Sequence, residues 1–178
     1  EFVAKFDQAV QQLKIGNGLD AGVNIGPVIN ERAKQNIQGL IDRAIEQGAQ
    51  PVTPTQELAG LFIQPVILKD VKHDMDIVQQ EIFGPVAPVM KFDSDEELIE
   101  MANDTIYGLA SYFYSQNIHR VWKVAEALEY GMVGINDGMI STEVAPFGGV
   151  KQSGIGREGA KEGIDEYMDI KYLCFGGN

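Results

Sequence analysis

The chain has 178 residues, of which 44% are hydrophobic and 22% charged, a balance that supplies one packed core with at most an appended piece and excludes wholesale disorder. Its 26 acidic against 14 basic residues leave a net charge of −12, a field that repels phosphate backbones and anionic lipid, so nucleic acid and membrane surfaces are poor partners while small molecules stay open. The single cysteine, Cys174, can close no intrachain disulfide, and no apolar run approaches the ~20 residues of a membrane span, so a soluble protein of a reducing compartment, the cytoplasm by default, is expected.

Apolar residues at Phe2, Val3, Phe6, Val10 and Leu13 predict a helix already under way at residue 1, with no capping residue before it, and hence a piece of something longer. After a turn-rich stretch, a second helix is predicted over residues 31–47, capped by Asn30, with Ile37, Leu40, Ile41, Ala44 and Ile45 on one face and Gly48 as its stop. Residues 62–71 read as a strand that Pro65, lacking an N–H, demotes to an edge or irregular position. Residues 85–92 read as another strand. Ser94 and Glu97 can satisfy each other's free backbone amides, a capping box that opens a helix to about Asn103. Then follow a strand over 108–115, a helix over 117–130 with Gly131 as its stop, and a short buried strand over 133–136. Alternating strands and helices predict an α/β layer with a largely parallel sheet, which ligands enter at the C-terminal strand ends. An irregular stretch, a short helix over 157–163 and an alternating tail over 167–173 complete the chain. The tail is the most strand-like segment, suited to a sheet of its own chain or of a neighbour.

The glycines at 154, 156 and 159 fit the spacing Gly-x-Gly-x-x-Gly, which in a dinucleotide fold lets a backbone turn approach a pyrophosphate. Here a long loop precedes them and little chain follows, so a tight structural turn is the favoured reading. Glu81 and Phe83, two apart in a segment read as extended, would face the same way and could present an acceptor for ribose hydroxyls beside a flat ring; a solvated Glu and a core Phe is the competing reading. Asp74 and Asp76 alternate like metal ligands but lack the rest of a calcium loop, so no metal is expected. His73 and His119 stand apart from any nucleophile, Trp122 reads as helix packing, and Cys174 has no neighbourhood that would make it a nucleophile.

Four motifs together carry a resemblance. Glu81-Ile82-Phe83-Gly84-Pro85-Val86, then Asn103 to Tyr107-Gly108-Leu109, then Gly131-Met132-Val133-Gly134-Ile135-Asn136, then Pro146 to Gly159 occur in the order and approximate spacing seen in the aldehyde dehydrogenase superfamily. Within it, Ile140-Ser141-Thr142-Glu143-Val144-Ala145-Pro146-Phe147 and the ending through Lys171-Tyr172 resemble the succinate-semialdehyde dehydrogenases.

The resemblance implies a three-layer, mostly parallel sheet: a partial catalytic domain over residues 1–160 and an oligomerisation strand within 161–178, serving a dimer or tetramer. It implies NAD or NADP as cofactor and an aldehyde substrate, attacked by a cysteine thiolate, with hydride passing to the nicotinamide and a general-base glutamate activating water. That cysteine and glutamate are expected upstream of Glu1, so this chain would be a C-terminal piece, inactive alone. Glu81 would hold the nicotinamide ribose hydroxyls and Phe83 would pack near the nicotinamide ring. Phe147 would line the aldehyde pocket, and Ser141 would hydrogen-bond the distal carboxylate of the substrate. Two other readings stand beside this one: a non-catalytic oligomerisation module, and a dehydrogenase for glutarate semialdehyde or an amino-aldehyde.

Overall fold

A computed structural model describes residues 1–177, which divide after Lys91 into two compact units. In the first, α1 (Phe2–Val10) precedes α2 (Glu31–Glu46), whose entry is capped as expected: the Asn30 side-chain oxygen accepts from the Ala33 N–H at 2.8 Å. Ile37, Leu40, Ile41 and Ala44 of α2 are buried, while Ile45 is 37% exposed and falls outside the stripe. Gly48, at φ +107, carries the chain out of the helix.

Strands β1 (Gln50–Pro51), β2 (Val66–Lys69) and β3 (Val86–Pro88) form one sheet in that order, β1 antiparallel and β3 parallel to β2, with α3 (Asp76–Gln79) between β2 and β3. The demotion of this strand by Pro65 is corrected here. Pairing begins one residue later, at Val66, so the missing N–H costs no ladder bond and β2 is the central strand. The Pro65 carbonyl is used as well, accepting from the buried Thr53 hydroxyl at 3.2 Å, while the Thr53 Oγ1 itself accepts from the Ile67 N–H at 3.1 Å. Val66 and Leu68 join the α2 stripe, Ile63, Val71, Met75 and Ile77 in one apolar cluster. Full burial of a side chain such as Leu40 contributes about 1.5–3 kcal/mol.

The second unit contains α4 (Asp95–Asn103), β4 (Ala110–Phe113), α5 (Ile118–Ala127) and β5 (Met132–Ile135), the two strands paired in parallel. Ser94 caps α4, its hydroxyl accepting from the Glu97 N–H at 3.1 Å; Glu97 returns the favour to the Asp93 N–H, one residue earlier than a standard box. Asn117 caps α5 by accepting from the N–H groups of His119 and Arg120. α5 stops at Ala127 with Leu128 already extended, so Gly131 is not its stop. Trp122, expected in the packing, is 63% exposed, and Val124 alone on α5 is buried.

Residues 157–163 do not form the expected helix. Gly159 and Ala160 both have positive φ, which breaks it, and only 3-10 turns occur nearby, at Lys151–Ser153 and Glu162–Tyr167. The tail over 167–173 pairs with no strand among the described residues; it is exposed throughout, with Ile170 at 102%. The α/β class stands, in two small sheets, one joining an antiparallel and a parallel pair and the other a single parallel pair. Among the described residues no helix is long and apolar enough to cross a membrane.

Candidate functional site

The predicted site residues fall in both units, Glu81 and Phe83 in the first and Ser141 and Phe147 in the second. In the first, Glu81 and Phe83 lie on the loop between α3 and β3, and both are exposed, Phe83 at 80%. A core position for Phe83 is thereby ruled out. The loop is not the extended run assumed for the pair: Phe83 has φ +48, a left-handed conformation uncommon for a bulky residue. Ile82 and Val86, on either side of that kink, pack against the apolar cluster. Between them Gly84 has no space for a side chain, because a Cβ there would stand 2.6 Å from the Ile37 Cδ1 of α2. The loop then enters the sheet directly, the Pro85 carbonyl accepting from the Val66 N–H at 2.9 Å.

In the second unit the segment 146–159 is shaped by backbone packed against backbone. A Cβ on Gly131 would lie 2.0 Å from the Gly148 carbonyl oxygen, one on Gly148 2.4 Å from the Gly156 oxygen, and one on Gly149 2.7 Å from the Ser153 Cβ. Gly131 is thus required by a close approach rather than by a helix end. Phe147 and Glu158 exchange backbone hydrogen bonds of 2.8 and 2.7 Å, closing the segment into a loop. Arg157 holds it from inside, one guanidinium nitrogen donating to the carbonyls of Gly149 at 2.8 Å and Gly156 at 2.7 Å.

Phe147 borders a surface cleft of about 660 Å³ shared with Arg157 and Tyr167, and also a hollow of about 170 Å³ with Val133, Ile140 and Thr142. The cleft is lined largely by the turn itself, the hollow mostly by apolar side chains. Ser141 is exposed and lines neither, although its neighbours Ile140 and Thr142 line the hollow. The spaced glycines 154, 156 and 159 all have positive φ and lead into no α-helix, and Gly156 lies close against the Glu166 carboxylate. A carboxylate there opposes a phosphate, which favours the structural turn.

Asp76 is engaged by Arg43 at 2.9 Å, and among the described residues no group of three or more His, Cys, Asp or Glu could hold a metal ion. His73 is half-buried, with its carbonyl accepting from the Gln79 side chain, and His119 and Cys174 are exposed. Tyr130 donates to the Ala102 carbonyl at 2.7 Å, and burial pushes its phenol above the ordinary range, with Lys151 pulling the other way. Two contacts escaped the sequence reading: that of Arg157 with the turn carbonyls, whose signal was a lone multiple donor among glycines with carbonyls to satisfy, and that of Gly84 with Ile37, which no local pattern links.

The family model that matches residues 1–173 is that of the aldehyde dehydrogenase family. The chain is 51% identical over 179 residues to a probable NADP(+) succinate-semialdehyde dehydrogenase of Sinorhizobium fredii, covering 99% of this chain and 36% of that protein. It is 53% identical over 178 residues to the glutarate-semialdehyde dehydrogenase of Pseudomonas aeruginosa, covering 99% and 37%. Its structure matches the crystal structure of succinate-semialdehyde dehydrogenase from Burkholderia pseudomallei with a TM-score of 0.94 at 54% identity, covering 98% of this chain and 36% of that one. The chain therefore spans little more than a third of the length of these relatives.

Proposed function

This chain belongs to the aldehyde dehydrogenase family, and we propose that it forms part of an NAD- or NADP-dependent enzyme that oxidises succinate semialdehyde to succinate. The observation that carries the reading is 51% identity to a succinate-semialdehyde dehydrogenase along 99% of this chain. A nicotinamide coenzyme fits the residues present: the Glu81 carboxylate is an exposed, acceptor-only group of the kind that ribose hydroxyls need, and Phe83 offers an exposed ring beside it. When bound, the coenzyme supplies the hydride acceptor. Glu81 orients the ribose, Phe83 lies near the nicotinamide, Phe147 lines the aldehyde pocket and Ser141 donates to the distal carboxylate. The nucleophilic cysteine and the water-activating glutamate belong to parts of the enzyme outside this sequence, so the chain alone is inactive.

In the same reading residues 1–160 are part of a catalytic domain built on a three-layer, mostly parallel sheet. Residues 161–178 serve oligomerisation in a cytoplasmic enzyme. Exposed Tyr167, Ile170, Tyr172 and Leu173 support a tail that pairs with a partner subunit. A second substrate, glutarate semialdehyde, is favoured by the identity to the Pseudomonas aeruginosa enzyme.

The test is oxidation of succinate semialdehyde, glutarate semialdehyde and an uncharged aldehyde of similar length by the full-length enzyme. A hydrogen bond to a charged group is worth ~1.5–3 kcal/mol, so Ser141→Ala raises KM for the preferred semialdehyde by about tenfold or more and leaves the uncharged aldehyde unaffected. Equal effects on both remove Ser141 from the carboxylate site. Failure to oxidise either semialdehyde overturns the substrate class.

A further inference from the structure

The loop that carries Glu81 and Phe83 poses a question of support. Neither side chain is buried, so neither can be held by packing of its own, and Phe83 occupies a left-handed backbone well that L side chains rarely adopt. The support comes from the alternating partners. Ile82 and Val86 pack on the apolar cluster, and Gly84 is pressed onto Ile37, with the Ile37 Cδ1, Cγ1 and Cγ2 atoms standing 2.6, 3.0 and 3.1 Å from where a Cβ would be. Ile37 has little freedom to yield: it is 1% exposed and locked in the α2 stripe. Downstream, the loop is closed by the Val86 N–H donating to the Gly84 carbonyl at 2.8 Å and by the Val66 N–H donating to the Pro85 carbonyl.

We propose that Gly84 and Ile37 are positioning residues: the contact of Gly84 on the Ile37 side chain sets the kink at Phe83 and so fixes where Glu81 and Phe83 meet the coenzyme. The inference rests on the coenzyme role proposed above for those two residues. It makes α2, which carries none of the chemistry, the rigid seat of the ribose contact. Its energetic logic is that of preorganisation, since a misplacement of about 1 Å remote from the reacting atoms can cost on the order of 100-fold in rate.

The experiment is a packing cycle in the full-length enzyme with Gly84→Ala, Ile37→Val and the double variant. Hydrogen exchange of the coenzyme-free protein gives a readout independent of catalysis: Gly84→Ala loses protection at the Val86 amide, and adding Ile37→Val, which deletes the Cδ1 atom closest to the new methyl, restores much of it. Single-turnover coenzyme reduction slows by about 10–100-fold in Gly84→Ala and recovers in the double variant. The isotope effect with an aldehyde deuterated at the carbonyl carbon rises in the single variant, a change that mere loss of folded enzyme does not produce. If Gly84→Ala does not fold, Ile37→Val alone decides: the proposal expects weaker Val86 protection and a raised isotope effect. Unchanged exchange or an unchanged isotope effect in the folded variant overturns it. Glu81→Gln separates this from the underlying reading: hydride transfer unaffected by that change removes the coenzyme role and the proposal together, whereas slowed transfer with no Gly84–Ile37 coupling removes only the proposal.

Discussion

In the first unit Ile37, Leu40, Ile41, Ile67, Leu68 and Ile77 are each at most 1% exposed, whereas among the described residues of the second only Val124 is a buried large apolar side chain. The second unit is tied instead by glycines set against backbone and by side chains donating to carbonyls. Asn103 shows the pattern: its amide donates to the Ala127 carbonyl at 2.8 Å, its side-chain oxygen accepts from the Glu129 N–H at 2.8 Å, and its own carbonyl accepts from Lys151 at 2.7 Å. A core of side chains absorbs changes that conserve volume; a stack of backbones has no side chain to trade. The difference matters for function, because the first unit can hold an exposed loop on a rigid apolar base, while the second shapes a cleft largely from the main chain of its glycine-rich turn.

The largest expected effect tests the apolar side of this contrast. Leu40→Ala removes a side chain with no exposed surface, and a loss of about 2–5 kcal/mol is expected from the denaturant midpoint of the full-length protein. A cost below about 1 kcal/mol would show that the cluster is loosely packed. Gly131→Ala tests the other side. The new methyl meets the Gly148 carbonyl rather than a movable side chain, so a cost of about 1–3 kcal/mol or more is expected, together with displacement of Phe147 seen as weaker aldehyde binding. A variant of normal stability would show that the two backbones can part.

The smallest effect is a pH dependence confined to the second unit. Burial raises the Tyr130 pKa, so the folded state holds that proton more tightly than the unfolded one, and the stabilisation is present below the ordinary value of about 10 and lost as pH rises through the raised value. Tyr130→Phe gives up the bond to Ala102 but removes this titration. Its denaturant midpoint should fall less than that of the parent between about pH 9 and 11. Parallel curves would assign the alkaline loss to other groups.

Helices α2 and α4 were legible because period and cap are local, their caps Asn30 and Ser94 standing directly before the apolar rhythm. What local pattern could not reveal was each relation between distant segments. Pro65 misled because a proline's effect on a strand depends on where pairing starts. Gly131 was assigned to a helix end when its reason is Gly148, distant in sequence and adjacent in space. The tail over 167–173 has the alternation of a strand, but strand is a property of two partners, and none of the described residues pairs with it. Phe83 was paired with Glu81 on the expectation of an extended run, whereas the left-handed backbone at Phe83 goes with the seat of Gly84 on the distant Ile37.

The glycine stack has a genetic consequence. Every missense change in a glycine codon replaces hydrogen with something larger, so at Gly131 and Gly148, where even a methyl meets a carbonyl, no conservative allele exists. Harmful variants of the gene should therefore collect at these codons, far more densely than at the codon for the exposed Lys161, and loss of protein should be the larger part of their effect.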